Sequence, residues 1–270
     1  MDWLNLTDKV AIVTGAASGI GKACVEELLA DKVCVIACDI SENKPEYKNE
    51  DKGTLKYRIC DVTNISDIKR VIKETLDTFD KIDILVNNAG INIPRLLVDP
   101  NQKDSIYELD EAVFDNVIDI NLKGLFYFSQ EVAKIFVNQR SGVIINMSSE
   151  AGLEGSEGQS IYAASKNAVN SFTRSWAKEL GKYGVRVVAV APGILEATGL
   201  RTPTYEQALA YTRGITVEDL RKGYSSTKTT PLGRSGKLSE VANLVAFLSS
   251  DKSSYIHGVT INVAGGKTRG

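Results

Sequence analysis

Short apolar runs alternate along this chain with longer stretches of helical period, and few folds accommodate that order. The runs fall at Val10–Thr14, 33–38, 55–60, 82–86, 143–146, 185–190 and 259–263. Most are apolar throughout instead of alternating with polar residues, which suits strands covered on both faces. Helical stretches follow at 22–29, Ile65–Phe79, 109–137, the segment holding Tyr162, and 239–248, where Ser239 is the expected cap. Two helical pieces, 205–211 and 217–222, interrupt a long irregular region, and 91–107, with Pro94 and Pro100, reads as a loop. The order predicts right-handed crossovers and so an α/β fold with a doubly wound parallel sheet and helices on both faces. No repeat, low-complexity tract or linker divides the chain, so 1–270 reads as one domain.

In such a sheet ligands bind at the carboxyl ends of the strands, and this chain puts its distinctive residues there. The first strand runs into Gly15-Ala16-Ala17-Ser18-Gly19-Ile20-Gly21 and then a helix. Glycines in that context let backbone approach a pyrophosphate, which the helix N-terminus favours. The second strand ends at Asp39, where a ribose-binding carboxylate belongs; it would favour NAD and repel the 2′-phosphate of NADP. Cys38 and Ala17 leave no arginine for a phosphate clamp there. The next strands end in Asp61-Val62 and in Asn87-Asn88-Ala89-Gly90, and a later one in Ala191-Pro192-Gly193. Residues 1–90 thus form mainly a cofactor half, and 91–270 a catalytic and substrate half.

Tyr162 and Lys166 lie one turn apart on one helical face, thirteen residues after Ser149 at a strand end. A free tyrosine, with a pKa of roughly 10, is a poor base at neutral pH. A fixed ammonium favours its phenolate, so Tyr162 could shuttle a proton to or from an alcohol or carbonyl. By itself the spacing fits equally an exposed helical pair and a serine-rich turn. Asn121 sits among Val117, Ile118, Ile120 and Leu122 and needs a polar partner. It could bond a neighbouring backbone or hold a water linking Lys166 to solvent.

Composition excludes several functions. A net charge of −2 argues against a general nucleic-acid or anionic-membrane binder, and no apolar run approaches the roughly 20 residues of a membrane span. A start without a basic region and apolar core points to the cytoplasm. The four cysteines lack metal or redox spacing and read as reduced packing residues. The one histidine, His257, rules out a multi-histidine metal site; no metal is expected. A serine hydrolase would depend on that histidine and lacks a Gly-x-Ser-x-Gly elbow.

Together, Thr14-Gly15-x-x-x-Gly19-x-Gly21, Asp61-Val62, Asn87-Asn88-Ala89-Gly90, Asn121, Ser149, Tyr162-x-x-x-Lys166 and Pro192-Gly193 resemble the short-chain dehydrogenase/reductase family over essentially the whole chain. The resemblance implies a Rossmann fold, usually as a homotetramer. It implies that Tyr162 is the acid/base, and that Lys166 binds the nicotinamide ribose and lowers the tyrosine pKa. Ser149 would hold the substrate oxygen and Asn121 a relay water. It also implies a cofactor site drawn from Gly15, Ser18, Gly19, Ile20, Gly21, Asp39, Asp61, Val62, Asn88, Ala89, Gly90, Tyr162, Lys166, Pro192 and Gly193. Members usually place a threonine five residues after the proline of the Pro-Gly pair, to hold the nicotinamide carboxamide. Here Ala197 has that position and Thr198 follows; either the loop is shifted by one or Thr198 does not reach the cofactor.

A narrower resemblance, to the sorbitol-6-phosphate 2-dehydrogenase subfamily, rests on 191–201, 229–236 and the ending 264–270. It implies NAD-dependent oxidation of a phosphorylated polyol. Arg201, Arg213, Arg234, Lys267 and Arg269 are candidates for the phosphate, and six basic against four acidic residues over 194–236 fit an anionic substrate or ordinary solvated charge. Rivals are a dehydrogenase for another polyol, a sugar acid or a 3-oxoacyl thioester, and a non-catalytic NAD sensor. A sensor would not need Ser149, Tyr162 and Lys166 together.

Overall fold

In the computed structural model, residues 3–267 are described. Strand β1 (Val10–Thr14) leads through the glycine turn into α1 (Gly19–Ala30), followed by β2 (Cys34–Asp39), β3 (Thr54–Ile59), α2 (Ile65–Phe79) and β4 (Ile84–Asn87). Then come α3 (Glu111–Ile118), a π-helical turn (Asp119–Gly124), α4 (Leu125–Gln139), β5 (Gly142–Met147), the short α5 (Ala151–Glu154), α6 (Ser160–Leu180) and β6 (Val185–Pro192). Helices α7 (Pro203–Thr212), α8 (Val217–Gly223) and α9 (Leu238–Ser249) precede β7 (Thr260–Val263). Among the described residues one seven-stranded parallel sheet forms, in the order β3-β2-β1-β4-β5-β6-β7.

The apolar runs work because successive side chains leave opposite faces of a strand. Ala11 and Val13 of β1, Ile84 and Val86 of β4, and Val188 and Val190 of β6 join α1 and α9 in one buried cluster. Val10 and Ile12, Leu85, and Val185 and Val187 join α2, α4 and α6 in the other. Each fully buried side chain of this size contributes about 1.5–3 kcal/mol, so a sheet covered on both sides needs every strand position apolar. A third, small cluster stands apart: Leu209, Ala210 and Leu220 between α7 and α8, with Tyr205, Val217 and Tyr224 against it.

Four local features depart from the sequence reading. Helix α1 begins at Gly19, so the glycine motif forms its first turn. The helix expected over 109–137 is broken by the π turn around Asn121. Lys237, not Ser239, takes the cap position of α9, where the Glu240 carboxylate accepts the Lys237 N–H at 2.7 Å. The fourth is α5, which packs so closely on α6 that a Cβ on Gly152 would lie 2.7 Å from the Lys166 carbonyl carbon. His257 is structural: its Nδ1 accepts the Val187 N–H at 3.0 Å and its Nε2 lies 2.8 Å from the Ala177 oxygen.

Candidate active site

Strand order reverses between β1 and β4, which opens a crevice at their carboxyl ends. A cavity of about 420 Å³ fills it, bordered by Gly15, Ser18, Gly19, Ile20, Asp39, Asp61, Val62, Asn88, Ala89 and Gly90. Gly15 and Gly19 have φ of 62° and 55°, a region glycine enters freely. Gly21 lies beneath the turn: a Cβ there would be 2.1 Å from the Gly15 oxygen. Asn88 locks the turn to β4, its Nδ2 donating at 3.0 Å to both the Thr14 and Gly15 oxygens. Thr14 Oγ1 accepts in return the N–H groups of Asn88 and Ala89, at 3.0 and 3.1 Å.

Asp39 ends β2 with its carboxylate fixed by backbone: Oδ2 accepts the Ala17 N–H at 2.8 Å and Oδ1 the Ser41 N–H at 3.0 Å. Each oxygen keeps lone-pair capacity for a further donor. Ser18, at the cap of α1, makes no side-chain capping bond, so that helix start keeps donors for an anion. Asp61 is exposed, and its Oδ1 accepts from Thr63 N–H and Oγ1, both at 2.8 Å. Glycines without room for a Cβ, a helix start with an open cap and a carboxylate at the second strand end fit a nicotinamide dinucleotide.

A second cavity, about 310 Å³, borders the first through Ile20, Asn88, Gly90, Thr198 and Leu200. Ser149, Tyr162, Lys166, Pro192, Gly193 and Arg201 line it. The Ser149 hydroxyl hydrogen-bonds to Tyr162 and accepts the Ala151 N–H at 3.2 Å. Lys166 is buried; its Nζ donates to the Met147 oxygen at 2.8 Å and lies 5.8 Å from the centre of the Tyr162 ring. Burial pulls the Lys166 pKa down to about 8. Burial also raises the Tyr162 pKa above its ordinary value, the Ser149 hydrogen bond lowers it, and the Glu150 carboxylate raises it. Desolvation of the phenol is the largest of these effects, while the Lys166 ammonium is turned toward the Met147 carbonyl.

Asn121 is fully buried in the π turn. Its Oδ1 accepts the Ile91 N–H at 2.8 Å, while its Nδ2 donates to the Ile91 oxygen at 2.9 Å and Ser165 Oγ at 3.1 Å. It therefore holds the backbone just past Gly90. A Cβ on Gly90 would be 3.2 Å from Asn121 Oδ1 and 3.3 Å from Lys166 Nζ, so the three converge. At the end of β6, the Pro192 oxygen accepts the Glu150 N–H at 3.0 Å, and a Gly193 Cβ would meet Ala264 Cα at 2.8 Å. Thr198 borders both cavities, close to Gly19, with its Oγ1 accepting the Leu200 N–H at 3.2 Å.

The phosphate candidates separate cleanly. Arg234 is held by both carboxylate oxygens of Glu240 and lies outside the cleft. Lys267 borders the cleft but pairs with Glu150 at 2.5 Å and Glu154 at 3.4 Å. Arg269, with Thr268 and Gly270 of the same closing motif, lies outside the described residues. Arg201 and Arg213 line the cleft, and among the described residues neither meets a carboxylate.

Sequence reading missed Tyr205 and Gln159. Gln159 is buried, and its Nε2 donates to the Tyr205 hydroxyl at 2.9 Å. Burial drives the Tyr205 pKa well up, with Tyr162 next among the causes. The one sequence signal was an aromatic residue in a helical piece of the irregular region, which does not say that it reaches Tyr162.

The family profile described as short chain dehydrogenase matches residues 9–209. The chain is 56% identical over 268 residues to the sorbitol-6-phosphate 2-dehydrogenase of Klebsiella pneumoniae, covering 99% of each. It is 40% identical over 267 residues to the 3-oxoacyl-(acyl-carrier-protein) reductase FabG of Thermotoga maritima, covering 97% of this chain and 99% of that one. Among solved structures, levodione reductase matches with a TM-score of 0.84 at 30% identity, over 97% of this chain and 98% of that one.

Proposed function

The chain belongs to the short chain dehydrogenase family, and from that membership we propose that it oxidises D-sorbitol 6-phosphate to D-fructose 6-phosphate with NAD. The observation carrying the substrate is the 56% identity to the Klebsiella pneumoniae sorbitol-6-phosphate 2-dehydrogenase over 99% of both chains. NAD is favoured over NADP by Asp39, whose carboxylate repels a 2′-phosphate. The arginines acting on neighbouring Cys38, Arg58 and Arg70, are already paired with Glu74 and Asp67.

In this reading Gly15, Ser18, Gly19, Ile20 and Gly21 shape the pyrophosphate site, with Asp39 at the adenosine ribose. Asp61 and Val62 flank the adenine, while Asn88, Ala89 and Gly90 carry the site toward the nicotinamide, which Pro192 and Gly193 border. When bound, NAD supplies the acceptor for the hydride that leaves the carbinol carbon. Tyr162, as phenolate, takes the hydroxyl proton, and Ser149 holds the same oxygen. Fixed donors of this kind stabilise charge that develops in a site with little water. Lys166 contributes positive charge beside Tyr162 and reaches the nicotinamide ribose. Asn121 fixes the Gly90–Ile91 backbone next to it and holds the relay water. Arg201 contributes to substrate binding. The reading extends to a cytoplasmic homotetramer, which gel filtration with light scattering would check.

NADH formation measured side by side with sorbitol 6-phosphate, sorbitol and mannitol 1-phosphate tests the proposal. Turnover confined to sorbitol 6-phosphate supports it; indifference to the phosphate overturns the substrate. The 40% identity to a 3-oxoacyl-(acyl-carrier-protein) reductase motivates a second reading, reduction of a 3-oxoacyl thioester. NADPH oxidation with such a thioester, and none of the polyol activity, would favour it.

A further inference from the structure

We propose that Arg201 and Arg213 together form an anion clamp that reads the phosphate of the substrate, and that Asn92 receives one of its hydroxyls. The proposal rests on the polyol phosphate reading above and assigns which groups of this chain recognise the two ends of that molecule.

The two guanidinium groups come from different segments and line one cleft together with Tyr224. Arg201, between β6 and α7, lies 4.0 Å from the centre of the Tyr224 ring and donates to the Leu195 oxygen. Arg213, just after α7, donates to Ser156 Oγ at 3.1 Å. Both lower the pKa of Tyr224, which burial raises, and both share the cleft wall with it. A guanidinium carries five N–H donors, and each of these uses one on an uncharged acceptor. Two like charges in one cleft, with donors left over, are stabilised by a dianion that accepts forks from both.

The rest of the wall keeps the clamp free for that role. Arg221, the third cation near Tyr224, is already taken by Glu206 Oε2 at 2.6 and 2.9 Å. The cleft's carboxylates also have partners: Lys267 meets Glu150 and Glu154, and Glu196 accepts the Leu238 N–H at 2.8 Å. A chain of side chains then ties the clamp to the reacting end. Arg213 donates to Ser156, Ser156 Oγ donates to Gln159 Oε1 at 2.6 Å, and Gln159 Nε2 donates to the hydroxyl of Tyr205, which neighbours Tyr162. An anion on Arg213 thereby sits at a fixed offset from the alcohol at Tyr162, the positioning that converts remote binding into rate.

The independent observation is Asn92. It lines the same cleft, and its Oδ1 is buried with no hydrogen-bond partner among the described residues. A buried acceptor left open is unfavourable, and a polyol hydroxyl pointing into the cleft would satisfy it.

The test compares wild type, Arg201→Gln, Arg213→Gln and Arg213→Lys in two measurements. The first is the ratio of kcat/KM for sorbitol 6-phosphate to that for sorbitol. The second is calorimetric binding of inorganic phosphate to the NADH-loaded enzyme. Each Gln variant should lower the ratio about 10- to 100-fold and weaken phosphate binding, with partial recovery in the Lys variant. A wild-type ratio in both Gln variants would overturn the clamp while leaving the substrate standing. Should wild type ignore sorbitol 6-phosphate, the substrate reading falls. Phosphate binding then decides the clamp alone, upholding it if arginine-dependent and overturning it if equal in all four proteins. For the hydroxyl, Asn92→Ala should raise KM for sorbitol 6-phosphate with phosphate binding kept; an unchanged KM removes Asn92 from the proposal.

Discussion

Lys166 and Met147 are joined by a hydrogen bond of 2.8 Å from a buried ammonium to the last carbonyl of β5. Burial takes the Lys166 pKa from 10.5 to about 8, so between those values the unfolded chain binds more protons than the folded one. Folding stability therefore rises with pH across that window, and the full penalty applies below it. Replacing Lys166 by Met should stabilise the protein at pH 7 by about 1–2 kcal/mol while abolishing turnover. Urea unfolding at pH 7 and pH 10 checks this. The gap should narrow at pH 10, and a less stable variant at pH 7 would mean that the Met147 bond outweighs burial.

Tyr162→Phe should lower kcat by about 10²–10⁴ and leave NADH binding, followed by fluorescence, nearly intact. Because burial raises the Tyr162 pKa, the phenol prevails at neutral pH, and alcohol oxidation, which needs the phenolate, should speed up as pH rises. Ketone reduction should show the opposite slope. Near-normal turnover in the Phe variant would remove Tyr162 from the proton transfer.

Gly21→Ala places a Cβ where the Gly15 oxygen already stands. The turn or helix must shift, at a cost of about 1–3 kcal/mol. Thermal unfolding and NADH titration should report lower stability and at least about tenfold weaker binding, beyond what the methyl group alone explains elsewhere on α1. Ala23→Gly, on the same helix, serves as the comparison.

Asp39→Ala removes the acceptor that repels a 2′-phosphate and two bonds that hold Ala17 and Ser41. The preference for NAD over NADP, as a ratio of kcat/KM values, should fall about tenfold or more. An unchanged ratio would mean that Asp39 only braces the glycine turn.

Much of the fold was legible because local signals and burial agree. The bounds of β1 and α2 follow directly from an apolar run and from a helical stripe behind Asn64, whose side chain accepts the Ser66 N–H at 2.9 Å. The glycine turn, Asp39 and the Tyr162–Lys166 spacing were legible too, being local. What escaped depends on distant partners. The π turn exists where Asn121 reaches Ile91, thirty residues away in sequence. The chain from Arg213 to Tyr205 likewise joins a loop, two helices and the segment after α7. The burial of Tyr162 was also beyond reach, because spacing reveals a neighbouring charge but not how much water the fold removes.

The small cluster of Leu209, Ala210 and Leu220 shares no buried residue with the two cores that flank the sheet. Helices α7 and α8 therefore carry a small core of their own at the rim of the cleft. Tyr205 and Leu209 of α7 also line the cleft, so a substitution there reshapes the wall facing the substrate while each face of the sheet keeps its own packing. An exchange of these two helices for a new specificity therefore has to carry Ser156 and Gln159 along, since Arg213 and Tyr205 bond to them.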